Sequence, residues 1–253
     1  MKRLLYILLL SASAVSGQVK DKDSIQLRID LSLTGFWQGG NVETLIFRAA
    51  NKIDYQFAKN VKFRSQNSYV LQEFGRSKAD EDILSLNFLN VNTHKRLSPL
   101  ALAFFSTNYR RQIDYRYILG GGMSYEVLKK KKHKINMSLT GEFEHTEFQT
   151  TDFKIDDYDG FTAINTWRST LWFQGEHHLF SNKMILKHEF YFQPSLQECD
   201  NFRWRGDISL EFPVWDFLNF KMNYYRTYES VVVAPQLQED EFLTFGFTIK
   251  NYK

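Results

Sequence analysis

The sequence contains little cysteine and little proline. One cysteine, Cys199, and four prolines occur among its 253 residues. A single cysteine cannot form an internal disulfide bond, so backbone hydrogen bonds and side-chain packing must stabilise the fold even in an oxidising compartment. We therefore expect Cys199 to be a structural thiol. The scarcity of proline leaves long segments free to pair as strands, because proline cannot donate a backbone hydrogen bond to a neighbouring strand.

Long hydrophobic runs are also missing beyond the first part of the chain. No later segment approaches the roughly eighteen apolar residues that a membrane-spanning helix needs, which excludes a helical membrane protein. The chain is nevertheless rich in aromatic residues, which make up 16% of it, and its mean hydropathy is −0.40. That combination is typical of amphipathic strands that face two environments. The formal net charge of +3 is too small to indicate a nucleic-acid partner.

The beginning of the chain has the three regions of a secretory signal peptide. Two basic residues precede an apolar segment at 4–10, and mostly small residues follow at 11–17. We expect cleavage next to Gly17, and lipidation is not expected because no cysteine stands there. No linker divides the remainder, so the sequence predicts a signal peptide at 1–17 and one domain at 18–253.

Apolar and polar residues alternate along most of that domain, which is the pattern of strands with two different faces. In the first such segment Leu27, Ile29 and Leu31 alternate with Arg28 and Asp30. The same parity continues from strand to strand, with aromatic residues near the predicted strand ends. Residues predicted to face outward include Leu27, Phe47, Leu139, Phe173 and Phe247.

Three segments alternate less clearly and are predicted as weaker strands, at 61–74, 83–93 and 100–109. They bring the predicted count to about twelve strands in an all-β fold, a closed antiparallel transmembrane β-barrel with up-and-down topology. Connection lengths support this prediction, because outer-membrane barrels have short turns at one end and longer outer loops at the other. The longer outer connections are predicted at 75–82, 149–163, 194–201 and 229–240.

These features predict a location in the outer membrane of a Gram-negative bacterium, in contact with lipid and lipopolysaccharide. The last strand, with Phe245, Phe247 and Ile249, looks like a closing strand recognised by the barrel-assembly machinery. A soluble sandwich or lipocalin-like barrel is the alternative fold. Strands longer than the nine to eleven residues of a tilted membrane crossing argue against that alternative. The oligomeric state is not predicted.

Several short motifs resemble a known protein family. The motifs are Thr34-Gly35, Gly40-Asn41-Val42-Glu43-Thr44, Tyr109-Arg110-Arg111, Asp114-Tyr115-Arg116, Gly120-Gly121-Gly122 and Tyr125. They resemble domain-of-unknown-function family 481, whose members are often labelled salt-induced outer membrane proteins. The resemblance covers most of the chain after the signal peptide, although 92–99 departs from it and the second half matches in strand rhythm only. It implies an outer-membrane location and lends no catalytic residue, since the family is uncharacterised.

Residues that could carry catalysis are few. Gly120-Gly121-Gly122 lies inside a strand and lacks the spacing of a phosphate loop, so a bulge or close packing is expected there. His177 and His178 are adjacent and point to opposite faces, which makes them a poor metal-binding pair. An outward arrangement of His145, Ser169 and Asn165 could serve an outer-membrane lipase, but no motif fixes its geometry. We expect no enzyme, metal or cofactor.

Charged residues on the inward face are the more informative candidates. Basic residues cluster on the first three strands and acidic residues on the sixth to eighth, so the two walls of a closed barrel would face each other. The candidate lumen-lining residues are Arg28, Arg48, Lys52, Lys62, Arg64, Glu126, Glu142, Glu144, Glu176, Arg203, Arg205 and Asp207.

Two interpretations of these charges remain open. An open lumen with opposing walls indicates a small passive or gated channel for polar solutes. A network of ion pairs that fills the lumen indicates a plugged structural or surface-interaction barrel. A lipid-modifying enzyme is the most distant alternative.

Overall fold

Twelve antiparallel strands form a closed barrel in the computed structural model, which describes residues 27–40 and 43–251. Each strand pairs with its neighbours in sequence, and the first strand closes the ring against the last. This confirms the predicted fold class and strand count. The predicted signal peptide lies outside the described residues. Among the residues that are described, no helix is long and apolar enough to cross a membrane.

The strands are eleven to seventeen residues long. Their bounds are β1 Leu27–Gln38, β2 Thr44–Ala58, β3 Val61–Phe74, β4 Ser77–Val91, β5 Leu97–Asn108, β6 Ile113–Lys129, β7 His133–Phe148, β8 Ala163–Leu179, β9 Met184–Pro194, β10 Phe202–Trp215, β11 Leu218–Glu229 and β12 Glu239–Lys250. Two single-turn 3-10 helices lie at Asp156–Tyr158 and Phe180–Asn182. The strands therefore reach or exceed the length that a tilted bilayer crossing requires.

Alternation of side chains separates the outer surface from the lumen. Leu27, Phe47, Leu139, Phe173 and Phe247, all predicted to face outward, are exposed on the outer surface, with exposed fractions between 36% and 59%. Exposed aromatic residues also stand near the ends of the strands, including Trp37, Trp167 and Trp215. A wide apolar surface with aromatic residues at its margins is the exterior of a transmembrane barrel.

The connections follow the predicted asymmetry with one exception. The three longest connections occupy 149–162, 195–201 and 230–238, as predicted for outer loops. The prediction of a long loop at 75–82 was wrong, because β3 and β4 are joined by the two-residue turn Gly75-Arg76. The charges that suggested a loop belong to β4, where Asp80 is buried and paired with Arg110 at 2.6 Å.

One wall of the lumen is apolar. Leu86 and Phe88 of β4 pack with Leu100 and Leu102 of β5 and with Trp172 of β8 in a buried cluster. Residues directly opposite each other on paired strands share a face. Leu86 is opposite Phe104 and Phe88 is opposite Leu102, so strand pairing places these side chains together on the inward face. We call this cluster, with the partly buried Leu84, Phe104 and Tyr191, the apolar lumen wall.

The outward face behind the apolar lumen wall is locally polar. Nδ2 of Asn67 donates hydrogen bonds to Oδ1 of Asn51 and to Oγ of Ser65, each at 3.0 Å. Nδ2 of Asn87 donates to Oγ of Ser85 at 3.0 Å. These groups satisfy one another on the surface, as they must where hydrocarbon offers no hydrogen-bond partner. Polarity is therefore inverted across the middle of β4, whereas the middle of β3 is polar on both faces, with Gln66 and Ser68 opposite the inward Leu86 and Leu84.

A charged side chain in the middle of the outer surface should destabilise the barrel. Leu139 is central in β7 and 59% exposed. We expect Leu139→Arg to lower the free energy of unfolding in lipid vesicles by about 2 to 4 kcal/mol, because the charge would face the bilayer midplane. Urea titration of the refolded protein measures this change.

The matched control places the same charge on an exposed leucine outside the strands. Leu196 lies between β9 and β10 and is 64% exposed. Leu196→Arg should leave the free energy of unfolding nearly unchanged. Equal effects of the two substitutions would contradict a lipid-facing surface around Leu139.

Candidate functional site in the barrel lumen

The basic residues predicted on the early strands come together on the inward face, around an aspartate. Nε of Arg64 and Nζ of Lys62 both lie 3.0 Å from Oδ1 of Asp54. Strand pairing sets Lys52 of β2 opposite Gln66 of β3, on the same face. Arg28, at the beginning of β1, is opposite Asp54. The cluster is therefore partly neutralised by its own carboxylate and does not form a purely basic wall.

The acidic residues Glu142 and Glu144 do not form the opposing wall that the sequence suggested. Glu144 is 1% exposed and pairs with Arg168, whose Nε is 2.9 Å away, and with Arg203. Glu142 is fully buried and accepts hydrogen bonds from Thr140, Thr170 and Gln193. These contacts lie within the β7–β10 side of the wall, because a buried carboxylate needs its partners close by. Both glutamates therefore have their partners on their own side of the barrel, although Glu142 and Arg48 line a common cavity.

The remaining candidates are also paired. Arg205 lies 3.4 Å from Asp207, two residues along the same face of its strand. Glu126 pairs with Lys129 at 2.9 Å, and Glu176 accepts from His178 at 3.0 Å near the other end of the barrel. Glu211 contacts Lys187 at 2.7 Å and Lys250 at 2.8 Å.

Ion pairs cross the lumen at the outer mouth. Arg111, in the turn between β5 and β6, lies 2.9 Å from both Glu229 of β11 and Asp240 of β12. Arg116 of β6 pairs with Glu229 at 2.9 Å, and Arg110 pairs with Asp240 at 2.8 Å. Because β6 and β11 are five strands apart in the ring, these contacts span the opening. We call these five residues, together with Asp80, the outer ion-pair layer.

Electrostatics hold Arg111 of the outer ion-pair layer in its charged form. Burial lowers the pKa of Arg111, but the neighbouring carboxylates Glu229 and Asp240 outweigh burial, so the pKa of the guanidinium lies above its usual value. A buried arginine with two carboxylate partners is stable only while both partners remain in place.

A second set of contacts crosses the lumen deeper in the barrel. Nη1 of Arg48 donates to Oδ1 of Asn223 at 2.7 Å and lies 3.6 Å from Asp207. Nη1 of Arg64 donates to Oε1 of Gln174 at 3.1 Å. Nζ of Lys187 lies 3.4 Å from Oδ2 of Asp30. Each contact joins strands three to five positions apart in the ring. We call these seven residues the inner ion-pair layer.

A cavity extends from the outer ion-pair layer into the middle of the barrel. The apolar lumen wall borders one side through residues such as Leu86, Leu102 and Trp172. Arg48, Arg203, Arg205 and Asn223 border it as well. Sequence reasoning missed the apolar side of this cavity. The available signal was the weak alternation at 83–93 and 100–109, since strands that are apolar on their inward face lose a clear period of two.

Outer loops cover part of the mouth. The segments 149–162 and 230–238 meet in an isolated bridge between Phe153 and Val233. Around it lies a buried apolar cluster of Ile113, Phe148, Phe153, Tyr158, Ile164, Val231 and Val233. Nδ2 of Asn201 donates to the Tyr158 hydroxyl at 2.8 Å, which ties in the loop at 195–201. The three long loops therefore form one packed unit.

The outward residues considered for catalysis are only partly brought together. Nδ1 of His145 lies 2.8 Å from Oδ1 of Asn165. Ser169, however, is opposite Gly141 and four positions along the strand from Asn165, which is about 13 Å. His177 contacts His133 and His188, with ring nitrogens 3.2 Å apart in each pair, while His178 contacts Glu176. Within 27–40 and 43–251, no group of three or more histidine, cysteine, aspartate or glutamate side chains is arranged to hold a metal ion.

A closed antiparallel barrel with a lipid-facing apolar exterior and a charged lumen defines the class of outer-membrane-type β-barrel proteins. Within that class, this chain belongs to the family described as "Protein of unknown function, DUF481", whose model matches residues 88–250. The match begins within β4 and covers the second half of the chain, where the sequence resembled the family only in the rhythm of its strands. The earlier motifs at 34–35 and 40–44 lie outside it.

Solved structures with a similar fold include bacterial porins. The NanC porin aligns with 8% identity over 90% of this chain and 100% of that chain, with a TM-score of 0.51. The translocator domain of the autotransporter NalP from Neisseria meningitidis aligns with 10% identity over 98% of this chain and 94% of that chain, with a TM-score of 0.46. The KdgM porin aligns with 8% identity over 88% of this chain and 98% of that chain, with a TM-score of 0.42. No curated protein matches the sequence. At these identities the likeness concerns the fold alone.

Proposed function

We propose that this protein is a gated outer-membrane channel whose lumen is closed in this structure by the two ion-pair layers. One observation carries the proposal. Below the mouth, the contacts that cross the lumen in the described part of the chain are made by side chains from the wall. Side-chain pairs such as Arg48 with Asp207 can separate without unfolding any strand, so closure of this kind is reversible.

The two alternatives rest on narrower observations. The packed outer loops around Phe153 and Val233 favour a barrel that stays plugged and uses those loops as a binding surface. A lipid-modifying enzyme has little support, because Ser169 is not within reach of His145. As a channel, the protein would lie in the outer membrane of a Gram-negative bacterium, contact lipid and lipopolysaccharide, and depend on the barrel-assembly machinery for insertion.

Conductance in planar bilayers tests the channel proposal. We expect the unaltered protein to conduct weakly or intermittently. Arg111→Gln with Glu229→Gln opens the outer ion-pair layer, and Arg48→Gln with Asp207→Asn opens the inner one, each without changing net charge. Because the layers act in series, the four substitutions together should raise conductance several-fold above either pair alone.

The control removes an ion pair that lies outside the lumen. Arg226 and Glu239 pair on the outer surface, with both side chains exposed. Arg226→Gln with Glu239→Gln should leave conductance unchanged. A correctly folded fourfold variant without conductance would rule out the channel and favour the plugged barrel.

A further inference from the structure

The lumen cavity has two chemically different sides, and each imposes a requirement on what could occupy it. Leu84, Leu86, Leu102, Phe104 and Trp172 line one side, which is unusual for a pore that passes strongly polar solutes. An apolar surface of this size inside a lumen is stabilised when an apolar group displaces water from it. The apolar lumen wall therefore favours a ligand with an aliphatic or aromatic body.

The other requirement comes from arginines that line the same cavity. Arg203 is 4% exposed and Arg205 is 9% exposed. Three buried donor atoms lie on Arg203, Arg205 and the nearby Arg48: Nη1 of Arg203, Nε of Arg205 and Nε of Arg48. None of the three has a hydrogen-bond partner among the described residues. Buried donors of charged groups gain free energy from an acceptor, and an anionic acceptor forms the strongest hydrogen bonds with guanidinium. These donors point to an anionic group on the ligand.

Carboxylates of the protein do not balance these arginines. Arg48 and Arg205 share one carboxylate, Asp207, and both guanidinium groups lie over the ring of Tyr225, at 5.6 Å and 4.7 Å from its centre. Arg203 shares Glu144 with Arg168 and Arg116. The three arginines that carry these donors therefore contact two carboxylates, Asp207 and Glu144. The shared carboxylates leave a local excess of positive charge at these three arginines, which favours an anion.

We propose that this cavity binds an amphipathic organic anion, with its carboxylate at Arg48, Arg203 and Arg205 and its apolar body against the apolar lumen wall. Trp172 also has a buried Nε1 without a partner among the described residues, and it offers a further donor on the apolar side. The inference names the solute class for the proposed channel and rests on that proposal for its physiological role. Binding itself is measured without any current.

Calorimetric titration of the whole barrel in lipid nanodiscs with three small probes tests the inference. 2-Naphthoate carries both an aromatic body and a carboxylate, 2-naphthamide lacks the charge, and gluconate lacks the apolar body. We expect saturable binding of one naphthoate per barrel. The other two probes should bind at least tenfold more weakly, which corresponds to about 1.4 kcal/mol.

Two substitutions assign the two sides of the cavity. Arg205→Gln should weaken naphthoate binding and leave naphthamide binding unchanged, whereas Leu102→Asn should weaken the binding of both. Arg226→Gln, on the outer surface, should change neither. Heat-modifiable gel mobility verifies that each variant is folded. Should Arg205→Gln fail to fold, the three probes on the unaltered protein still decide the question.

The outcomes separate this inference from the proposed function. Absence of saturable naphthoate binding, or gluconate binding as tight as that of naphthoate, would overturn the amphipathic site even if the fourfold variant conducts. Naphthoate binding with the expected selectivity supports the site, and it does so even where every variant lacks conductance and the channel proposal has failed.

Discussion

Replacing Glu144 by glutamine is expected to lower the free energy of unfolding by about 3 to 5 kcal/mol. Glu144 is almost fully buried and is shared by Arg116, Arg168 and Arg203. Without its charge, three guanidinium groups on β6, β8 and β10 would face one another with one carboxylate fewer among them. Urea unfolding of the refolded protein in lipid vesicles measures the change.

A second pair of variants distinguishes loss of charge balance from loss of a hydrogen bond. Combining Glu144→Gln with Arg203→Gln removes one charge of each sign and should recover part of the stability. The exposed pair partner Glu239 provides the surface control, and Glu239→Gln should not measurably change unfolding. A loss for Glu144→Gln no greater than that of the surface control would show that the buried network contributes little.

Much of the barrel could be predicted from the sequence because one physical rule governs nearly every strand. Lipid on one side and charged groups on the other force a period of two, so Leu27, Leu139 and Phe247 identify the outward face of their strands. The same period places Arg48 and Asp207 on the inward face. Alternation thus predicted the face of a residue from its immediate neighbours in sequence.

Contacts between strands that are not neighbours could not be predicted in this way. Arg203 and Glu144 are 59 residues apart. Arg116 meets Glu229 across five strands of the ring. Which inward residues face each other depends on strand number, tilt and the register at which the ring closes. Small errors in any of these move every distant pairing, so the sequence suggested two opposing charged walls where the structure has networks of ion pairs.

Two local features of β4 were the other source of error. The charged segment at 77–82 was predicted as a loop, although Asp80 is an inward strand residue neutralised by Arg110. The weak alternation at 83–93 reflects inward Leu86 and Phe88 together with outward Ser85 and Asn87. A rule that assumes lipid outside and water inside cannot recognise a wall that is apolar on the lumen side. That wall borders the proposed ligand cavity.

Closure of the ring depends on a close approach between its first and last strands. Gly246 of β12 is opposite Thr34 of β1, and a Cβ atom at Gly246 would clash with the carbonyl oxygen of Leu33 and lie 2.6 Å from Cα of Thr34. Both contacts are with backbone, so relief requires β1 to move away. Pairing between these strands spans only Asp30 to Gly35, which makes the seam short.

We therefore expect Gly246→Ala to lower the free energy of unfolding by about 1 to 3 kcal/mol or more, because overpacking at the seam separates β1 from β12. Gly206, on β10, is the matched control, since nothing lies within 4 Å of a Cβ built there. Gly206→Ala should be neutral or stabilise the barrel by up to about 1 kcal/mol, because alanine restricts the unfolded chain. Urea unfolding and heat-modifiable gel mobility measure both variants. Equal stability of the two would mean that β1 and β12 do not approach as closely as described, and that the ring can close with a wider seam.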